Sequence, residues 1–246
     1  FKALYSALIP IEISKSEVVV TVSNAEKNAM SHQYSSLKNA QNFYAVQNCG
    51  VTDQANNLVD TKSLPKLCDR NYGIYVGSLS KRKNAEGVLK AAIQFLQSYP
   101  DMRFVVIGSG SEVFDAFNFE IPNDIKNRLE MRGQINVPEK IYNAFARARF
   151  LLFPSFYEAS PLPPIEAMTF GCPVIASSIA SLEERCGDAA LYCNPHELQD
   201  ICDKIDNLMA SEVLWNKLSK AGFKRAAKYS WRRQSETILE LSKFGL

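Results

Sequence analysis

Seven short runs in this chain, residues 17–22, 43–47, 73–76, 103–107, 150–153, 173–176 and 189–192, are built largely of apolar residues. Most carry apolar side chains at odd and even positions alike. A strand with one wet face alternates apolar with polar; a strand apolar on both faces must be covered on both. Helical patterns separate several of these runs, at 84–96, at 138–147 and at 165–170 before Gly171, and long amphipathic helices run from about residue 195 to the end. Ser23-Asn24 reads as a cap opening a helix after the first run. The alternation predicts an α/β fold: a Rossmann-like parallel sheet with helices on both faces, whose ligands bind beyond the carboxyl ends of the strands.

Composition closes off other classes. The 246 residues carry 28 Lys+Arg and 26 Asp+Glu, net +2, which gives no general field for nucleic acid or a membrane. No stretch of about 18 apolar residues is present. Six cysteines without a Cys-x-x-Cys pair, and only two histidines, argue against a zinc cluster and for reduced thiols in a cytoplasmic setting. Residues 52–69, polar and holding Asn56-Asn57 and Pro65, form the best linker candidate. The division predicted is a partial amino-terminal α/β segment over 1–57, a linker over 58–70 and a complete domain over 71–246.

Glycine is scarce, 11 residues in all, so its placement is informative. Gly77, Gly108 and Gly110 follow strands on the ligand edge, where backbone N–H groups approach a phosphate best without a Cβ. Gly108-Ser109-Gly110 begins a dinucleotide fingerprint, but Val113 stands at the third glycine position. No phosphate-loop motif of nucleoside triphosphatases occurs either. Lys81-Arg82-Lys83 precedes the helix at 84 and can neutralise a diphosphate beside a helix N-terminus.

The segment from Phe153 to Ser177 is the most informative. A buried strand ends at Pro154, Glu158 lies in the loop beyond it, and Pro161, Pro163 and Pro164 delay the next helix, placing Glu166 in its first turn. Two carboxylates thus flank one loop on the ligand edge. Pro154-Ser-x-Tyr-Glu158, then Glu166-Ala-Met-x-x-Gly171-x-Pro-Val-Ile-Ala-Ser177, resembles the carboxy-terminal, donor-binding domain of family 4 glycosyltransferases, retaining enzymes of the GT-B fold. Residues 75–84, Val105 to Gly110, Arg132-Gly-Gln134, Glu183-Glu184, Gly187 to Ala190 and Ser230-Trp231 fall in the family's order, so the resemblance covers residues 18 to the end.

The resemblance implies roles. Glu166 would bind the ribose hydroxyls of a nucleotide diphosphate sugar, UDP- or GDP-linked, and Glu158 would sit by the donor sugar near the reacting carbon. Lys83, with Arg82, would neutralise the diphosphate, with Gly77, Ser78 and Gly108 along its edge. Gly133 and Gln134 would border the base, and backbone N–H groups around Ser160 and Leu162 would meet sugar or phosphate. No metal and no further cofactor are implied. Two departures stand out: Ala159-Ser160-Pro161 replaces the family's Gly-Phe-Gly or Ser-Phe-Gly, and Ser78 stands where many members have Arg.

The expected activity is hexosyl transfer with retention to a glycan or lipid-linked acceptor. The alternatives are a non-catalytic nucleotide-binding or regulatory subunit, or another GT-B enzyme such as a sugar-nucleotide epimerase. Because the chain begins at Phe1 and holds only two amino-terminal strands, the expectation is a fragment or split subunit whose partner is a missing acceptor domain. Lys220, Lys224, Arg225, Lys228, Arg232 and Arg233, with Phe223, Tyr229 and Trp231 among them, are read first as helices packing on that domain, and second as a contact with the inner face of the membrane.

Overall fold

The computed structural model describes residues 2–34, 37–38, 40–51, 64–110 and 120–243. Residues 52–63 of the expected linker, and Val113, lie outside the described residues. The described residues form two sheets. A small one pairs β1 (Val19–Thr21) with β2 (Phe43–Ala45) in parallel. The large one contains β3 (Tyr72–Val76), β4 (Arg103–Ile107), β5 (Leu129–Met131), β6 (Phe150–Phe153), β7 (Val174–Ser177) and β8 (Ala190–Cys193). Its order is β5-β4-β3-β6-β7-β8, and every neighbouring pair is parallel.

The strand pattern explains both faces. Ile74, Val76, Val105, Ile107, Leu151, Phe153, Val174 and Ala176 face one buried layer, which includes Phe145 of the Pro138–Arg147 helix and Ile165 of the Pro163–Thr169 helix. The intervening residues Tyr75, Phe104, Val106, Phe150, Leu152 and Ile175 face a second layer, with Val88 and Phe95 of the Ala85–Ser98 helix and Ile201 of the Leu198–Met209 helix. Odd and even positions of the same strands supply the two cores, as apolar runs of both parities require.

Three details differ from the sequence reading. Strand β5 was not expected; Leu-Glu-Met is too short and mixed to register as an apolar run. The Ala180–Cys186 helix also went unread. The end of the linker candidate packs on the large domain: Leu64 lies against the first core, Leu67–Asp69 forms a 3-10 turn, and Arg70 is buried, donating to Ala148 O at 3.1 Å. Cys68 is exposed, and the other five cysteines are buried.

The second core closes around a ring cluster. Phe95 meets Phe150 edge-on at 5.2 Å and Phe104 at 6.2 Å. Gly73 of β3 leaves the room: an added Cβ would lie 2.6 Å from Phe150 Cζ and 2.9 Å from Phe104 Cδ2. Gly73→Ala is expected to lower stability by about 2 kcal/mol through overpacking, read as a lower urea midpoint at unchanged slope.

Candidate functional site

The strand order reverses between β3 and β6, the point at which an open parallel sheet leaves a crevice at its carboxyl edge. The loop after β3 carries Ser78, Arg82 and Lys83; the loop after β6 carries Glu158. Lys81–Lys83 forms a single 3-10 turn, and Asn84 ends it in the left-handed conformation, φ 55 and ψ 46. Asn84 is the only non-glycine residue with positive φ among the described residues. Its side chain compensates: Oδ1 accepts from Gly87 N at 3.1 Å, capping the Ala85–Ser98 helix, and Nδ2 donates to Pro195 O at 2.8 Å. Asn tolerates this conformation better than most residues because its short amide finds local partners. Asn84 therefore turns the chain sharply just after Lys83.

That turn brings Lys83 Nζ to 2.6 Å from Glu158 Oε1. Arg82 Nη1 lies 3.3 Å from Oε2 and donates to Tyr157 O at 2.9 Å. Phe156 N donates to Arg82 O at 3.0 Å, so the two loops are joined through main chain as well. The Glu158 side chain is 6% exposed and that of Lys83 12%, whereas Arg82 is half-exposed. Lys83 also lies over the Phe153 ring, 4.9 Å from its centroid. The two cations against one carboxylate leave one positive charge over.

The glycines mark the adjoining edge. Gly77 N donates to Ile107 O at 2.9 Å and Gly108 N to Gly133 O at 2.8 Å, drawing the ends of β3, β4 and β5 together. Gly108, at φ 152, cannot be replaced: a Cβ there would lie 1.8 Å from Gly77 O. Ser78 and Gln134 are exposed; Ser78 O accepts from Tyr75 OH at 2.8 Å, and Gln134 Nε2 donates to Asn136 Oδ1 at 3.0 Å. Leu162 O accepts from Glu166 N at 3.0 Å, starting the Pro163–Thr169 helix.

Glu166 is partly buried, and burial alone pushes its carboxyl up to about 7. The backbone of Gly50 covers it, so close that a Cβ there would lie 2.7 Å from Glu166 Cγ. The structure thus gathers Arg82, Lys83 and Glu158 in one cluster, joins Gly77, Gly108 and Gly133 along an edge, and sets Ser160 and Glu166 against the amino-terminal unit. Among the described residues no group of three His, Cys, Asp or Glu could hold a metal ion.

The sequence reading gave no role to Asn84, Asn48 or Arg185. Only Asn84 had a signal: an amide residue between a basic turn and a helix. Of the basic stretch near the end, Arg225 Nε donates to Arg185 O at 2.9 Å and Tyr229 OH to the same oxygen at 2.8 Å. These two cover the end of the Ala180–Cys186 helix; Lys220, Lys224 and Lys228 are exposed.

The comparisons with known proteins follow this geometry. The family model described as "Glycosyl transferases group 1" matches residues 59–225, which hold the large sheet and every group of the cluster. The chain belongs to this family. Among group 1 relatives, an O-antigen chain mannosyltransferase B of Escherichia coli is 33% identical over 172 residues, 68% of this chain and 44% of that protein. The O-antigen chain mannosyltransferase RfbU of Salmonella typhimurium is 23% identical over 207 residues, 84% of this chain and 55% of that protein. The chain thus spans about half the length of these relatives. Sucrose-phosphate synthase from Thermosynechococcus elongatus superposes with a TM-score of 0.77 at 20% identity, over 98% of this chain and 61% of that one. Anabaena HepE, crystallised with UDP and glucose, superposes at 0.72 and 16% identity, over 93% of this chain and 63% of its own. These likenesses show the GT-B-type Rossmann fold of a group 1 transferase.

Two outcomes are expected. Removing Lys83 leaves a buried carboxylate with only a half-exposed partner, so Lys83→Met should lower stability by about 3 kcal/mol. Arg82→Ala should lower it by about 1 kcal/mol or less; urea unfolding of both variants checks the order.

The second concerns pH. Glu166 has a folded pKa near 7 against an ordinary value of 4.5, so the folded chain holds the proton more tightly. Its contribution is favourable below about pH 4.5 and is lost as pH rises toward 7. Glu166→Gln should remove that decline and melt above the wild type at about pH 8. Parallel melting profiles across this window would contradict it.

Proposed function

We propose that this chain is the donor-binding part of a retaining, family 4 type glycosyltransferase. It transfers a hexosyl group, with mannosyl first in view of the relatives' names, from a nucleotide diphosphate sugar to a glycan or lipid-linked acceptor. The observation that carries the reading is the Arg82–Lys83–Glu158 cluster at the strand-order reversal.

The chemistry follows from charge. As the bond between the sugar carbon and the diphosphate oxygen breaks, negative charge grows on the leaving group and positive charge on the sugar ring. Lys83 and Arg82 stabilise the first, and a preformed site does so without reorganisation. Glu158, held among these cations, presents a carboxylate beside the second. Its pairing with Lys83 sets the two side chains together in a nearly dry place until the diphosphate takes a share of the lysine. Glu166, deprotonated only near neutral pH, accepts from ribose hydroxyls, and Gly77, Gly108 and Gly133 let the nucleotide approach the backbone. The protein's own cations supply the charge that the leaving group needs, so no metal is assigned.

Thermal melts with UDP, GDP and ADP test the reading. One base should stabilise the chain, by about 2.7 kcal/mol at a concentration of roughly 100 Kd. Transfer by the full gene product from a mannosyl donor should fall at least about 100-fold on Glu158→Ala, with nucleotide binding retained. Absence of stabilisation by all three nucleotides would sink the reading.

A further inference from the structure

The loop that carries Glu158 is held from two sides. Phe156 and Glu158 turn to Arg82 and Lys83, as described. Tyr157 and Ala159 turn the other way: Tyr157 OH donates to Glu26 Oε2 at 2.9 Å, and Ala159 O accepts from Ser23 Oγ at 2.8 Å. Ser160 Oγ then donates to Asn48 Oδ1. Residues 23, 26 and 48 all belong to the amino-terminal unit, so residues 156–158 are held by the large sheet's own loop and residues 157, 159 and 160 by that unit.

Arg185 stands behind this seam, 2% exposed. Its Nη1 donates to Asn48 O at 2.7 Å. Its Nη2 reaches both Asn48 Oδ1 and Ser160 Oγ, the latter at 2.5 Å. The guanidinium lies over the Tyr229 ring, 4.7 Å from the centroid. Burying a charge this deeply is costly, and an apolar side chain would fill the space as well. What only arginine supplies is a rigid fork that joins two segments at fixed spacing.

The preceding residue fixes the unit itself. The Glu184 carboxylate accepts from Asn24 N and Nδ2 at 2.9 Å, Ala25 N at 2.8 Å and Gln47 Nε2 at 2.5 Å. It thereby occupies the N-terminus of the Asn24–Gln33 helix, where negative charge is favoured. Desolvation opposes its charge, yet these donors hold the carboxyl below its ordinary value. Glu184 sets where the unit sits, and Arg185 sets Ser160 against it.

We infer that Arg185 is a positioning residue for the donor loop: by tying Ser160 to Asn48 it holds the backbone of residues 158–160 on its ligand-binding course. The inference rests on the donor-site reading above. It makes the amino-terminal unit a working wall of the cleft rather than a neighbour of it.

Calorimetric titration of UDP, GDP and ADP into the wild type, Arg185→Lys, Ser160→Ala, Ser160→Thr and the Arg185→Lys/Ser160→Ala double variant tests it. Each titration is run well below the melting midpoint of its variant, so that unfolding does not enter. Lysine keeps the charge but not the fork. Affinity should fall about tenfold in Arg185→Lys and in Ser160→Ala. The double variant should be no weaker than the worse single, because both remove one linkage. Ser160→Thr, which keeps the hydroxyl, should restore wild-type affinity. Wild-type affinity in folded Arg185→Lys, or losses that add in the double variant, would overturn the inference. If Arg185→Lys fails to fold, the Ser160 pair decides: unchanged affinity in Ser160→Ala rejects it. A wild type that binds none of the three nucleotides rejects the donor-site reading and this inference with it; a wild type that binds, with variants that bind equally well, rejects the inference alone.

Discussion

Burying a carboxylate as deeply as Glu158 is costly unless a cation is set against it, and Lys83 lies at 2.6 Å. Neither residue could reach the other from an arbitrary pair of loops. The sheet must reverse its order between the strands that precede them, and the chain must turn at Asn84. The Asn84 amide, shared between Gly87 N and Pro195 O, anchors that turn to the loop beyond β8. Fold, loop conformation and charge pairing therefore meet in one contact.

Much of this was legible in the sequence, for definite reasons. The runs at 103–107 and 150–153 are apolar at odd and even positions, which only a doubly covered strand can use. Glu158 and Glu166 stood out because three prolines confine them to a strand-end loop and a helix start. β5 was not legible, since three residues with a central Glu carry no periodicity. Nor was the partnership of Asn48 with Arg185, 137 residues away, because contact across such a distance leaves no local pattern. The packed course of residues 64–70 was hidden likewise, because Leu64 and Arg70 find their partners in distant elements.

The basic stretch shows how composition misleads when side chains divide their work. Arg225 and Tyr229 satisfy carbonyls at the end of the Ala180–Cys186 helix, the role that cations commonly take at a helix C-terminus. Lys220, Lys224 and Lys228 carry the same charge as Arg225 and are exposed. A count of cations treats the two sets alike.

The contact between Gly77 and Gly108 has a consequence for altering what the cleft accepts. A Cβ at 108 has no room, so this wall can be neither thickened nor given a new functional group without moving β3 against β4. Variation is confined to its exposed neighbours, Ser78 and Gln134. Under the proposed donor-binding role, a library built to change the preferred base would leave the glycines fixed and place its diversity at those two positions.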